Sequence, residues 1–306
     1  MSSGPGTRQV VTTCIRVAAT IPVGSAPTGV AADPRTGMVY VPNQGSGTVS
    51  VINSHTNTVV ATVPVGALTW FAAVDPRTDR IYVTDENASA RFYVSVINGQ
   101  TNRVVARIPV PAPSLGVAVN PATNTVYVSG DNAPGTVSVI NGRTDTVVST
   151  IPVGQYPYAV AADPRANLIY VTNSGDGTVS AINGSTNTVT TTIPVGGADP
   201  VAINPATGTV YVGYGRTLSV ISEATNMVTA TIGVSALTGL ATNPRTNTIY
   251  VAQGNGKVKL INGRTNKIVL TLAVSNYLAG IAVIPQTNTV YVTNESVDTL
   301  SVLAPC

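Results

Sequence analysis

Four acidic side chains of this sequence could bind a cation or transfer a proton, because they lie in polar segments between apolar runs. They are Asp85, Glu86, Asp131 and Glu295. Carboxylate oxygens are good ligands for Ca²⁺ and Mg²⁺, and a carboxyl group whose pKa is shifted by burial can act as an acid or a base. We predict no resident cofactor and no dedicated metal site, and we leave Ca²⁺ or Mg²⁺ binding by these carboxylates open.

Aromatic and basic side chains occupy similar polar segments. The aromatic residues are Trp70, Phe71, Tyr156, Tyr158, Tyr214 and Tyr277, and the basic residues are Arg91 and Arg216. Aromatic walls with a few polar groups are typical of a small-molecule pocket. If the fold brings them together, these eight residues and the four carboxylates would form a ligand-binding site.

Residue types that many catalytic mechanisms require are scarce. The chain has one histidine, His55, and two cysteines. A Ser-His-Asp triad needs a histidine beside a nucleophilic serine, and copper, haem or zinc sites commonly use several histidines or cysteines. The sequence supports none of these sites.

The composition favours a folded, β-rich chain. Of 306 residues, 43% are hydrophobic and only 9% are charged, against a usual charged share of about 25%. Val, Thr, Gly, Asn and Pro dominate over the good helix formers, and a chain this apolar is not disordered. The net charge of +3 is too small to indicate a nucleic-acid partner, and no run of about 18 apolar residues indicates a membrane span.

An internal repeat organises the chain. Seven copies of the dipeptide Tyr-Val are spaced at intervals of 39 to 45 residues, and they begin at Tyr40, Tyr82, Tyr127, Tyr170, Tyr211, Tyr250 and Tyr291. In the first unit, four β-type segments are separated by polar turns or loops, and these segments are 29–32, 38–41, 48–53 and 58–66. Each unit is therefore predicted to form four strands.

The fourth strand of the unit is predicted to lie at a sheet edge, because it contains a proline that cannot donate to a central ladder. This proline recurs as Pro22, Pro64, Pro109, Pro152 and Pro194. The first strand carries a repeated small residue: Ala31, Ala73, Ala118, Ala161, Ala202, Ala241 and Ala282. Small side chains are expected where neighbouring sheets converge on an axis.

Four-stranded units at this spacing predict an all-β fold, a seven-bladed β-propeller with four antiparallel strands per blade. The last unit lacks a fourth strand. Residues 16–24 align with the fourth strand of the other units, but no first three strands precede them. We therefore predict that the N-terminal strand completes the C-terminal blade. The propeller domain would span residues 14–306 and follow a flexible tail, residues 1–13.

Alignment of the repeats places the two cysteines, Cys14 and Cys306, next to each other at the missing turn of the last blade. We predict a disulfide between them, which could stabilise the fold by about 4 to 5 kcal/mol. Disulfides persist in oxidising compartments. Because residues 1–6 do not resemble a secretory signal, we expect an exported, periplasmic or extracellular protein whose leader is not part of this sequence, with a cytoplasmic protein as the alternative.

The repeat resembles that of a known family. Tyr-Val-Thr-Asn stands intact at 170–173 and 291–294, with near matches at 40–43 and 82–85. The chain thus resembles the YVTN family of β-propeller repeat proteins over residues 14–306. Because that family includes surface-layer proteins, periplasmic binding proteins and subunits of redox enzymes, the resemblance implies the fold and no single function.

In a propeller, loops joining second to third strands and loops joining successive blades lie on one face. The twelve candidate residues fall in or beside these loops, so we expect them to meet at one rim. We predict a monomer that binds a small molecule or a protein at this rim. The alternative is an enzyme, a lyase, isomerase or lactone hydrolase, that uses rim carboxylates and tyrosines, with Ca²⁺ or Mg²⁺ as a further option.

Overall fold

A computed structural model describes residues 14–86, 89 and 91–306. The tail predicted for residues 1–13 lies outside this part of the chain. The strands, in chain order, are β1 (Ile15–Pro22), β2 (Ala31–Ala32), β3 (Met38–Asn43), β4 (Thr48–Asn53), β5 (Thr58–Pro64), β6 (Leu68–Asp75), β7 (Arg80–Glu86), β8 (Phe92–Asn98), β9 (Arg103–Pro109), β10 (Ser114–Asn120), β11 (Thr125–Gly130), β12 (Thr136–Asn141), β13 (Thr146–Pro152), β14 (Pro157–Asp163), β15 (Leu168–Asn173), β16 (Thr178–Asn183), β17 (Thr188–Pro194), β18 (Val201–Asn204), β19 (Thr209–Tyr214), β20 (Thr217–Ser222), β21 (Met227–Gly233), β22 (Leu237–Asn243), β23 (Thr248–Gln253), β24 (Lys257–Asn262), β25 (Lys267–Ala273), β26 (Leu278–Ile284), β27 (Thr289–Asn294) and β28 (Thr299–Pro305). Two 3-10 turns, Gln44–Ser46 and Glu295–Val297, accompany them.

These strands form seven antiparallel sheets of four strands, which confirms the seven-bladed propeller. Blade 1 contains β2 to β5, and the next five blades follow in steps of four strands. Blade 7 has the order β1-β28-β27-β26, so the N-terminal strand completes the C-terminal blade as predicted. The predicted disulfide is also present, because Cys14 and Cys306 are bonded with their Cα atoms 5.5 Å apart.

The two faces of the ring differ in their connections. The turns that join first to second strands and third to fourth strands lie on one face, which we call the turn face. The loops that join second to third strands and successive blades lie on the opposite face, the loop face. The prolines of the fourth strands are exposed at sheet edges, as predicted.

The apolar core lies between neighbouring blades. Each repeated tyrosine is at most 1% exposed, and that of blade 2, Tyr82, packs with Val117 and Val128 of blade 3. Directly across its own sheet, each tyrosine faces one of the repeated alanines, as Tyr82 faces Ala73. A larger residue at the alanine position would compete with the ring for the narrow space near the axis.

Candidate functional site

The inner strands carry a bulge at the loop face, and this bulge aims side chains into the central channel. In β14 the pairing register shifts between Pro157 and Val160, and the same shift occurs in β6, β10, β22 and β26. A bulge leaves residues unpaired and redirects their side chains. Tyr158 of blade 4 and Phe71 of blade 2 lie at such points.

A buried hydroxyl holds each of four bulges and joins it to the next blade. In blade 4, Oγ1 of Thr172 accepts a hydrogen bond from the Ala159 amide at 2.9 Å and donates one to the carbonyl oxygen of Asp199 at 2.7 Å. Thr84, Ser129 and Thr293 make equivalent pairs of hydrogen bonds. The channel-lining backbone of adjacent blades is therefore fixed by a side chain from the second strand.

These contacts give the Tyr-Val-Thr-Asn sequence a physical meaning. In blade 4, Tyr170 fills the core, Thr172 bridges to the next blade, and Nδ2 of Asn173 donates to the hydroxyls of Thr178 and Ser180, each at 3.0 Å. The tetrapeptide is a structural unit, and its presence carries no information on the ligand.

A cavity of about 560 Å³ lies at the loop-face mouth of the channel, and a smaller space of about 130 Å³ lies among the inner strands below it. One position per blade, three residues before the repeated alanine, supplies what we call the inner ring: Thr28, Trp70, Leu115, Tyr158, Asp199, Thr238 and Ala279. Four blades also contribute the residue four places after the repeated tyrosine, and these form the upper ring: Gln44, Glu86, Asp131 and Glu295.

Charged and aromatic groups converge on the hydroxyl of Tyr158. Burial raises the pKa of Tyr158, and Asp199, Tyr277, Asp131 and Glu295 raise it further through their charges. Such interactions require proximity. Groups from blades 3, 5 and 7 therefore share the cavity with this side chain of blade 4.

Two of these carboxyl groups are poorly hydrated. Burial raises the pKa of Asp131 and of Asp199, because loss of water disfavours the charged form. The hydroxyl of Ser174 donates to Oδ1 of Asp199 at 3.0 Å and opposes the rise. Each of these carboxyls therefore keeps a proton more readily than a carboxyl in water, and a positive charge beside it would favour its ionised form.

Asp85 also lines the cavity, but its side chain is directed into the blade. Asp85 is 1% exposed, and a Cβ atom placed on Gly66 would lie 2.6 Å from its Oδ1. Burial raises the pKa of Asp85, whereas Ser95 and Arg107 lower it. Asp85 thus resembles the asparagines at the same position of blades 1, 4 and 7 more than it resembles the upper-ring carboxylates.

Eight of the twelve predicted site residues line the cavity: Trp70, Phe71, Asp85, Glu86, Asp131, Tyr158, Tyr277 and Glu295. The other four are exposed and are not part of its lining: Arg91, Tyr156, Tyr214 and Arg216. The ring of Tyr214 lies against Gly197 instead. Within the enlarged loop of blade 2, residues 87, 88 and 90 lie outside the described residues. A binding role for each of the twelve residues stays a prediction.

Most residues of the inner ring were not predicted from the sequence. Thr28, Leu115, Asp199, Thr238 and Ala279 all line the cavity. The signal that could have found them is their fixed distance from the repeated alanine, because residues at one position of each repeat must form one ring about the axis.

Within residues 14–86, 89 and 91–306, no group of three or more His, Cys, Asp or Glu side chains is arranged to hold a metal ion. No helix in this part of the chain is long and apolar enough to cross a membrane. No protein-family model matches the chain, and neither does any curated protein. The fold is that of a seven-bladed propeller, whereas the resemblance to the YVTN repeat family stays a prediction.

Proposed function

We propose that this protein is a monomeric binding protein that holds a small molecule in the loop-face cavity and leaves it chemically unchanged. One observation carries the proposal: positions that differ between blades converge on a cavity of about 560 Å³, while the rest of each blade repeats. A volume of this size suits a small molecule, and variable residues on a rigid scaffold are typical of a binding site.

The Cys14–Cys306 disulfide supports a location in an oxidising compartment, where such bonds persist. We include export from the cytoplasm in the proposal for this reason.

Ligand binding can be followed by tryptophan fluorescence, because Trp70, the single tryptophan of the chain, lies in the inner ring of the cavity. Titration with small aromatic molecules of different charge should change Trp70 fluorescence in a saturable way for at least one of them. Tyr158→Ala should weaken this binding about tenfold, because it removes the central side chain of the cavity.

Tyr214→Ala is the matched control, since Tyr214 is an exposed tyrosine of the same face that does not line the cavity. It should leave the affinity unchanged. Absence of any saturable signal, or equal losses in the two variants, would contradict the proposal.

An enzyme, acting as a lyase, isomerase or lactone hydrolase, is the second candidate. The raised pKa of Asp131 and Asp199 favours it, because perturbed carboxyls in a cavity can act as acids or bases. Mass spectrometry of a bound ligand after prolonged incubation separates the two candidates. Recovery of unchanged ligand supports binding alone, and a product that Asp199→Asn abolishes while binding persists supports the enzyme.

A further inference from the structure

Negative charge is concentrated at the cavity although the chain as a whole is basic. Apart from Asp85, whose side chain is directed into the blade, the cavity lining includes Glu86, Asp131, Asp199 and Glu295, four of the 13 acidic residues of a chain whose net charge is +3. Among the lining residues that the structure describes, none is Lys, Arg or His. Surfaces with one sign of charge around a concave space focus the potential on whatever enters it.

Carboxylates of the turn face and of the cavity have different partners. On the turn face, Arg80 binds Asp145 at 2.6 Å and Arg35 lies 3.8 Å from Asp79. At the cavity, the hydroxyl of Ser174, a neutral group, donates to Asp199. Partial burial disfavours the ionised form of Asp199, so a bound positive charge would stabilise that form.

Aromatic rings surround the same space. The rings of Phe71 and Tyr158 meet edge to face, with centroids 6.0 Å apart and an angle of 81°, and Trp70, Phe92 and Tyr277 also line the cavity. The faces of aromatic rings attract cations. They also exclude the water that a small hydrated metal ion keeps, and they contact apolar groups.

We propose that the ligand of this cavity is an organic cation, an amine or quaternary ammonium group that carries an apolar or aromatic portion. The carboxylates of Asp131, Asp199 and Glu295 would face the positive group, and the aromatic residues would cover the apolar portion. This inference rests on the proposed function, because it names the ligand class of the same cavity.

Three probes of similar size and different charge test the inference. They are 2-phenylethylamine, 2-phenylethanol and 3-phenylpropanoate, which are a cation, a neutral molecule and an anion at pH 7. Trp70 fluorescence and calorimetry should show that the amine binds at least tenfold more tightly than the alcohol, and that the anion binds least.

Carboxylate variants identify the source of this preference. Asp199→Asn and Glu295→Gln should each lower the ratio of amine to alcohol affinity about fivefold, because each removes a negative charge and keeps the shape of the side chain. Asp176→Asn is the matched control, since Asp176 is an exposed loop-face carboxylate outside the cavity lining. It should leave the ratio unchanged. The ratio is insensitive to a general loss of folded protein, which affects both probes equally.

The outcomes separate this inference from the proposed function. A cavity that binds the alcohol or the anion as tightly as the amine overturns the cation while the binding function stands. Equal effects of Asp176→Asn and the two cavity variants also overturn it. If none of the three probes changes Trp70 fluorescence, both the inference and the proposed function fail.

Discussion

The turn face and the loop face are built from the same strands, and both have contacts that recur between blades, but the loop face also carries the side chains that vary most from blade to blade. At three blade junctions of the turn face, one asparagine amide donates to an asparagine of the next blade at 2.7 or 2.8 Å, in the pairs Asn120–Asn167, Asn204–Asn247 and Asn243–Asn288. On the loop face, the inner ring has seven positions and six residue types. The contacts that recur between blades thus close the ring, and the residues that differ between blades shape the cavity.

The other four junctions of the turn face lack this pair of asparagines, and the junction between blades 4 and 5 is one of them. There, Asp163 stands where Asn120 stands in blade 3, and Gly208, with φ +59°, stands where those three junctions have the second asparagine. Glu223 extends into this space, because a Cβ on Gly208 would lie 3.3 Å from its Oε2. Burial and the charge of Asp163 raise the pKa of Glu223 to about 7. A repeated amide contact has been replaced by two carboxyl groups.

Removal of the disulfide should cause the largest loss of stability, because this bond joins the two ends of the propeller at the turn face of blade 7. The Cys14→Ser, Cys306→Ser double variant should lose about 5 kcal/mol of unfolding free energy, because the bond links residues 292 positions apart and so restricts the unfolded chain strongly. Denaturant titration measures the loss. In the absence of denaturant, probe binding in the cavity should persist, and an unfolding free energy equal to that of the parent would refute this role.

Removal of one bridging hydroxyl should cause the next largest loss of stability. It tests whether the shape of the cavity depends on a hydrogen bond that recurs between blades. Thr172→Val leaves the Ala159 amide and the Asp199 carbonyl without their partner, which should cost about 1 to 3 kcal/mol of unfolding free energy. Because both groups adjoin Tyr158 or lie in the inner ring, ligand affinity should fall as well.

Thr190→Val provides a comparison for this variant. Its hydroxyl donates to the carbonyl oxygen of Ala181 at 3.1 Å on an exposed outer strand, so water can replace it. The change in unfolding free energy should stay below about 0.5 kcal/mol. Equal losses for Thr172→Val and Thr190→Val would show that the bridge is no more important than a surface hydrogen bond.

The smallest effect is expected at the junction of blades 4 and 5, and it depends on pH. A raised carboxyl pKa means that the folded protein binds the proton more tightly than the unfolded chain, so this contribution to stability falls as the pH rises from about 4.5 to 7. Glu223→Gln should therefore raise the unfolding free energy by about 1 kcal/mol at pH 8 and by much less at pH 5. The value at pH 8 is small because Glu223 is partly exposed to solvent.

A second variant of this junction rebuilds the facing asparagine and glycine that blades 3, 4 and 6 have. Gly208→Asn with Glu223→Gly restores an asparagine in the left-handed conformation that Asn247 and Asn288 adopt. Its stability should also lose the dependence on pH. Parallel stability curves of the parent and of both variants between pH 5 and 8 would contradict the prediction.

The fold could be predicted from the sequence almost completely, because equivalent positions can be compared between the seven repeats. Pro64 marked an edge strand, and the matching of Cys14 and Cys306 to neighbouring turn positions identified the closure. These inferences needed only the hydrogen-bonding limits of proline and the alignment of repeats. The structure confirms both.

The candidate site could be predicted less well, because the direction of a side chain at a bulge depends on pairing register. Tyr158 and Tyr214 are both tyrosines near the loop face, yet only Tyr158 enters the channel. Asp199 was not predicted because it lies in a short, glycine-containing connection, residues 195–200, that resembles an ordinary loop between blades. Its hydrogen bond from Thr172 shows that it is held at the cavity wall.

The pairing of β1 with β28 also determines when the domain can become complete during synthesis. During synthesis β1 emerges from the ribosome before its partner, so this segment must wait unpaired while about 280 residues between the two strands are added at roughly 5 to 20 per second. An unpaired strand is a site for association with other chains. Biogenesis of this protein thus includes an interval in which a chaperone could shield the N-terminal segment.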